Sequence, residues 1–130
     1  MVKSAIITAA GSGRRFGEAK QFKKLHGKPL YQYSLDTFIK SRLFDEIILV
    51  IPNSKQEKVQ KEIKRKYSSQ VSLVSGGPHR QDSVKNAIQN SNPNIDLVVI
   101  HDAARPFITT RLIEKCVSAC ETSDGAIIAL

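Results

Sequence analysis

The 130-residue chain has no tryptophan, only 6% aromatic residues and just two cysteines. So few aromatics argue against a surface on which successive nucleic-acid bases stack. Cys116 and Cys120 lie four apart in a helical pattern, on the apolar side, and build no disulfide framework. No apolar run approaches the ~20 residues that span a bilayer. The apolar stretch after Met1 is too short for a signal peptide and leads into a glycine loop rather than a cleavage site. Internal repeats, low-complexity tracts and a Pro/Gly/Ser-rich linker are also missing. The expectation is one domain in the cytosol, with no membrane partner.

What the chain does have is positive charge, unevenly placed. The formal net charge is +8. Residues 1–66 hold 15 Lys/Arg against 6 Asp/Glu, or +9, and residues 67–130 hold 5 against 6, or −1. A basic half suits a polyanion such as nucleic acid, an acidic membrane surface or a small phosphorylated ligand. Part of the excess, Lys55, Lys58, Lys61, Lys64, Arg65 and Lys66, surrounds a narrow stripe of Val59, Ile63 and Tyr67 and reads as a solvated helix face. The rest, Arg14, Arg15 and Lys20, sits beside glycines.

Short apolar runs alternate with amphipathic segments along the chain. Strands are expected over residues 4–10, 46–51, 71–75 and 97–101, with a fifth beginning at 125–130. Between them, Pro29 opens a helix whose face is Tyr31, Leu35, Phe38 and Ile39. Ser54 to Glu57 has capping-box spacing and opens the basic helix. Residues 81–91 form a helix burying Val84, Ala87 and Ile88, and Thr109 or Thr110 caps one whose stripe is Ile113, Cys116, Val117 and Cys120. Strand–helix alternation with continuously apolar strands implies an α/β fold, a Rossmann-like and mostly parallel sheet with helices on both faces. Right-handed crossovers place the loops at 11–15, 76–83 and 101–105 along one sheet edge, where ligands bind. The pattern reaches residue 130 in the middle of a strand, as in the front part of something larger.

The first loop, Ala9-Ala10-Gly11-Ser12-Gly13-Arg14-Arg15-Phe16-Gly17 with Lys20-Gln21 beyond, lets backbone approach a phosphate closely, with cations to neutralise it. Glu18 after Gly17 excludes a Walker A loop. Phe16 and the Pro52-Asn53 strand end exclude a dinucleotide fingerprint. A tight strand-to-helix turn would use the same glycines, and the cations shift the balance toward a polyphosphate.

That loop resembles the signature of nucleotidyltransferases that join a CTP-derived nucleotide to a sugar or polyol phosphate. His101-Asp102-Ala103-Ala104-Arg105-Pro106-Phe107 resembles the second signature of the methylerythritol phosphate cytidylyltransferases of isoprenoid biosynthesis. Gly76-Gly77-Pro78-His79-Arg80-Gln81-Asp82-Ser83-Val84 resembles their third motif, in the expected place between the other two. The resemblance runs in order along essentially the whole chain and implies the nucleotidyltransferase (GT-A-like) form of the α/β fold.

It also implies roles. Ala9, Ala10, Gly11 and Gly13 line CTP and its triphosphate, and Arg15 and Lys20 stabilise charge at the attacked α-phosphate, with Arg14 a weaker neighbour. Gly77 and Ser83 help recognise the base and Arg80 supports their loop; Pro78 has no N–H to offer there. Asp102, Ala103 and Arg105 lie near ribose, acceptor and Mg²⁺, with Asp102 as the metal's carboxylate. Family members continue for roughly another domain's worth of chain. That part carries acceptor-phosphate contacts and a dimerisation arm, so residues 1–130 are expected to be the nucleotide-binding part of a homodimeric enzyme.

On the residues alone, Asp102 can also cap the turn that follows it, and Arg105 can simply pair with Asp102; convergence at the strand edge favours the acceptor reading. His101 has no His or Cys partner at ligand spacing and reads as structural. Three rivals remain. A ribitol phosphate cytidylyltransferase resembles the chain, although Ala9-Ala10 and Ala103-Ala104 favour methylerythritol phosphate. A nucleic-acid-binding domain would use the +8 but lacks aromatic interleaving, so no nucleic-acid partner is expected. The third is a CTP-binding fragment without turnover.

Overall fold

The computed structural model describes residues 2–10 and 20–121. Gly11, Gly13, Arg14, Arg15 and the expected strand at 125–130 lie outside the described residues. The elements run β1 (Lys3–Thr8), β2 (Lys24–Leu25), β3 (Lys28–Pro29), α1 (Leu30–Ser41), β4 (Glu46–Ile51), α2 (Gln56–Tyr67), β5 (Ser72–Ser75), α3 (Arg80–Gln89), β6 (Leu97–Asp102) and α4 (Thr110–Glu121).

Four strands form one parallel sheet in the order β5-β4-β1-β6. The chain therefore steps outward from β1 through β4 to β5, then returns across β1 to β6. This reversal puts a topological switch point between β1 and β6. Right-handed crossovers require the two outward connections to run over one face and the return over the other. The packing agrees. Ala5, Ile7, Ile47, Leu49 and Ile51 share a core with Tyr31, Leu35 and Phe38 of α1, Val59 and Ile63 of α2, and Ile113 and Val117 of α4. The alternate residues Ile6, Ile48 and Val50 pack with Ala87 of α3. Period-two strand geometry thus sorts each continuous apolar run into two cores.

Two expectations, the Ser54 cap and the burial of Ile88, need correction, and the choice between Thr109 and Thr110 is resolved. Ser54 does not cap α2: after Pro52 the backbone forms a 3-10 turn over Asn53–Lys55, closed by the Lys55 N–H to the Pro52 carbonyl at 2.9 Å, and Lys55 takes the cap position. The capping-box exchange occurs instead at α3, where Asp82 accepts the His79 N–H at 3.2 Å. Ile88 is not buried but 47% exposed, at the outer end of α3. At α4, Thr109 is the capping residue, its Oγ1 accepting the Leu112 N–H at 3.2 Å.

α1 and α2 are also joined by a polar network. The Tyr31 hydroxyl donates to Glu62 at 2.7 Å, the Tyr67 hydroxyl to Asp36 at 2.6 Å, and Lys66 to Gln32 at 2.9 Å, while Lys28 also pairs with Asp36. Burial, reinforced by the neighbouring carboxylates, pushes both tyrosines above their ordinary range. Among the described residues no helix is long and apolar enough to cross a membrane.

Candidate nucleotide site at the strand switch point

The loops that follow β1, β5 and β6 meet at the carboxyl edge of the sheet. Ala9, buried just past the end of β1, donates its N–H to the Val50 carbonyl at 2.7 Å. The Ala9 carbonyl accepts Gln21 Nε2 at 2.9 Å, and Gln21 is only 5% exposed. This bond ties the 3-10 turn Lys20–Phe22 to the end of β1, with Lys20 exposed beside it. Phe22 packs edge-on against Tyr31, and Lys55 Nζ lies 5.6 Å from its ring centre. Gln21 belonged to the recognised motif without a role. Its adjacency to Lys20 was legible, but its partner, twelve residues back, was not.

The loop after β5 closes on the loop after β1. The Gly76 N–H reaches the Ile51 carbonyl at 2.8 Å. A Cβ at Gly76 would lie 2.4 Å from the Ala10 Cβ and 2.8 Å from Ser83 Oγ, so close approach requires glycine there. Gly77 donates to Ser83 Oγ at 3.2 Å, and Ser83 is buried in the first turn of α3. Arg80 is exposed at the start of the same helix.

The loop after β6 is a tight turn. The Ala103 N–H donates to the Thr8 carbonyl at 2.9 Å, which fixes the turn to β1. Asp102 Oδ1 accepts the Ala104 N–H at 2.9 Å, and the Arg105 N–H closes on the Asp102 carbonyl at 3.0 Å. The capping reading of Asp102 is therefore realised, and the carboxylate still has lone pairs to spare. Ala103 is fully buried, and Arg105 is exposed. His101 is buried behind the turn. Burial lowers its pKa, and the positive charges of Arg105 and Arg80 oppose its protonation further, while the Arg105 carbonyl and Asp102 favour it.

The structure accordingly brings together Ala9, Ala10, Lys20, Gly77, Arg80, Ser83, Asp102, Ala103 and Arg105 from three loops at one sheet edge. No group of three or more His, Cys, Asp or Glu capable of holding a metal occurs among the described residues. One carboxylate at a strand end suits Mg²⁺, which commonly takes one or two carboxylates together with substrate phosphates. Away from these loops, a groove of about 500 Å³ runs along α2 and β5, lined by residues that include Gln56, Gln60, Lys64 and Val71.

Comparison with known proteins bears on the family and the fold. The family model for 2-C-methyl-D-erythritol 4-phosphate cytidylyltransferase (IspD) matches residues 3–130. A protein of that name from Clostridium beijerinckii is 42% identical over 117 residues, which cover 88% of this chain and 51% of the relative. Its counterpart from Clostridium kluyveri is 45% identical over 114 residues, 85% of this chain and 49% of the relative. Among solved structures, 4-diphosphocytidyl-2C-methyl-D-erythritol synthase from Anaerococcus prevotii superposes with a TM-score of 0.82 at 34% identity, covering 94% of this chain and 52% of that one. The Francisella tularensis cytidylyltransferase gives 0.73 at 31% identity, covering 95% and 54%. The chain spans about half the length of the relatives it matches. The strand order, the three converging motifs and the match over residues 3–130 make the chain a member of the 2-C-methyl-D-erythritol 4-phosphate cytidylyltransferase family.

Proposed function

We propose that residues 1–130 are the nucleotide-binding part of an enzyme that transfers a cytidylyl group from CTP to 2-C-methyl-D-erythritol 4-phosphate. The observation that carries this reading is the convergence of Ala9–Ala10, Gly76–Ser83 and Asp102–Arg105 at the β1/β6 switch point. An oxygen of the acceptor's phosphate attacks the α-phosphorus of CTP, the bond to the β-phosphate oxygen breaks, and pyrophosphate leaves. No protein nucleophile is required. Catalysis then rests on in-line positioning and on charge placed where it develops.

In this scheme the backbone at Ala9, Ala10, Gly11 and Gly13 lines the nucleotide. Lys20, held beside the end of β1 through its neighbour Gln21, and Arg15 balance charge at the α-phosphate. Gly77 and Ser83 read the base, and Arg80 supports their loop. Ala103 packs near the ribose, and Asp102 and Arg105 orient the acceptor. Asp102 would also hold Mg²⁺ together with the phosphates, and the ion supplies neutralisation of phosphate charge. The compartment is the cytoplasm and the assembly a homodimer.

Calorimetry with CTP and Mg²⁺ tests the binding claim, after circular dichroism has confirmed the fold. Tighter binding of CTP than of ATP is expected, and equal affinity for both, or none for either, contradicts the reading. A pyrophosphate-release assay with methylerythritol phosphate separates binding from turnover.

A further inference from the structure

His101 occupies a position that neither the motif resemblance nor the proposed chemistry uses. In register it lies opposite Ile7, on the face of the sheet covered by α1, and is 5% exposed. Its ring centre is 5.6 Å from that of Phe38. Nε2 is 2.9 Å from the Arg105 carbonyl and 3.2 Å from Ser34 Oγ, and Ser34 Oγ is itself 3.5 Å from the same carbonyl. A carbonyl only accepts, so the proton belongs on Nε2. The ring lies on the α1 side of the sheet and holds the far end of the turn that begins at its own neighbour, Asp102.

Other ties of that turn include Ala103 N–H to Thr8, Ala104 N–H to Asp102 Oδ1, and Arg105 N–H to the Asp102 carbonyl. The first fixes its start to β1, and the other two are internal. The 2.9 Å bond from His101, backed by Ser34, fixes its end to the body of the domain. An aromatic hydrocarbon at 101 would fill the same space against Phe38 but leave the Arg105 carbonyl without this donor. Packing alone would be satisfied by phenylalanine; the hydrogen bond needs a donor at Nε2.

We propose that His101 is a positioning residue for the nucleotide site: braced by Ser34, it anchors the Arg105 carbonyl and so sets where Ala103 meets the bound nucleotide and where Asp102 and Arg105 stand beside it. This rests on the cytidylyltransferase reading and extends it to two residues that do not touch substrate. Glutamine offers a side-chain N–H near the place of Nε2, and leucine offers none.

The test uses the 130-residue chain, CTP with Mg²⁺, and calorimetry, with thermal melting as the control on folding. The parent binds CTP, His101→Leu binds about tenfold more weakly, and His101→Gln returns to within about threefold of the parent. Rescue by glutamine, with both variants melting alike, is a result that a purely structural role would not give. Parent-like CTP affinity in a folded His101→Leu overturns the inference and leaves the nucleotide site intact. Failure of the parent to bind CTP overturns the functional reading itself, and this inference with it. If His101→Leu does not fold, the decision passes to Ser34→Ala, which removes only a hydroxyl. A two- to threefold loss of CTP affinity supports the brace, and no change overturns it.

Discussion

The two faces of the sheet are built differently. Under α1, α2 and α4, the core includes Tyr31, Phe38, Leu35, Ile63 and Ile113, all nearly or fully buried, with the tyrosine–carboxylate network above it. Under α3 the buried core is Ile6, Ile48, Val50 and Ala87, and at its margin Ile88 and Ile100 are 47% and 41% exposed. The thick face carries most of the apolar burial that stabilises the fold. The thin face carries the glycine pair and α3, where small residues let two loops approach each other. In the proposed reading, stability and recognition are thus largely assigned to opposite sides of one sheet, and His101 ties the thick side to the turn after β6.

Substitutions should separate the two faces. Phe38→Ala, in the thick core, should cost ~3–5 kcal/mol in urea or thermal unfolding, because the surrounding packing collapses only partly around the cavity. Gly76→Ala should cost ~1–3 kcal/mol by pushing Ala10 and Ser83 apart. It should also weaken CTP binding more than Phe38→Ala does, when both are measured where the proteins are folded. Tyr67→Phe should cost ~1 kcal/mol at neutral pH, since Asp36 keeps its lysine partners. The folded state holds the Tyr67 proton more tightly than the unfolded chain, which ionises near pH ~10. Stability is therefore full below that pH and falls as pH rises above it, and Tyr67→Phe should flatten this alkaline loss. Ile88→Ala, at the exposed margin of the thin face, should stay within ~0.5 kcal/mol of the parent.

Much of this division could be read from the residues. The runs at 46–51 and 97–101 predicted β4 and β6 closely, and the stripe Tyr31, Leu35 and Phe38 predicted the buried side of α1. What escaped was set by partners far along the chain or by very short elements. The β2–β3 hairpin has two residues per strand, too few for any periodicity to register. Ser54 has capping-box spacing, but Pro52 starts a 3-10 turn that shifts the helix start past it. Ile88 follows the helical stripe, yet α3 lies over β1, β4 and β5, and its end overhangs the core. The site motifs were legible as sequence, whereas the links among them, Gln21 to Ala9, Gly76 to Ala10 and His101 to Arg105, depend on the fold.

The central claim is that CTP sits at the switch point on the carboxyl edge, across the loops after β1, β5 and β6. Titration of the isotopically labelled chain with CTP and Mg²⁺, followed by amide NMR, tests it residue by residue. The account predicts that the largest shifts fall on Ala9, Ala10, Gly77, Ser83, Ala103 and Arg105, with ATP producing weaker changes at the same amides. Shifts concentrated instead on Gln56, Gln60, Lys64 and Val71, along the groove between α2 and β5, would contradict it.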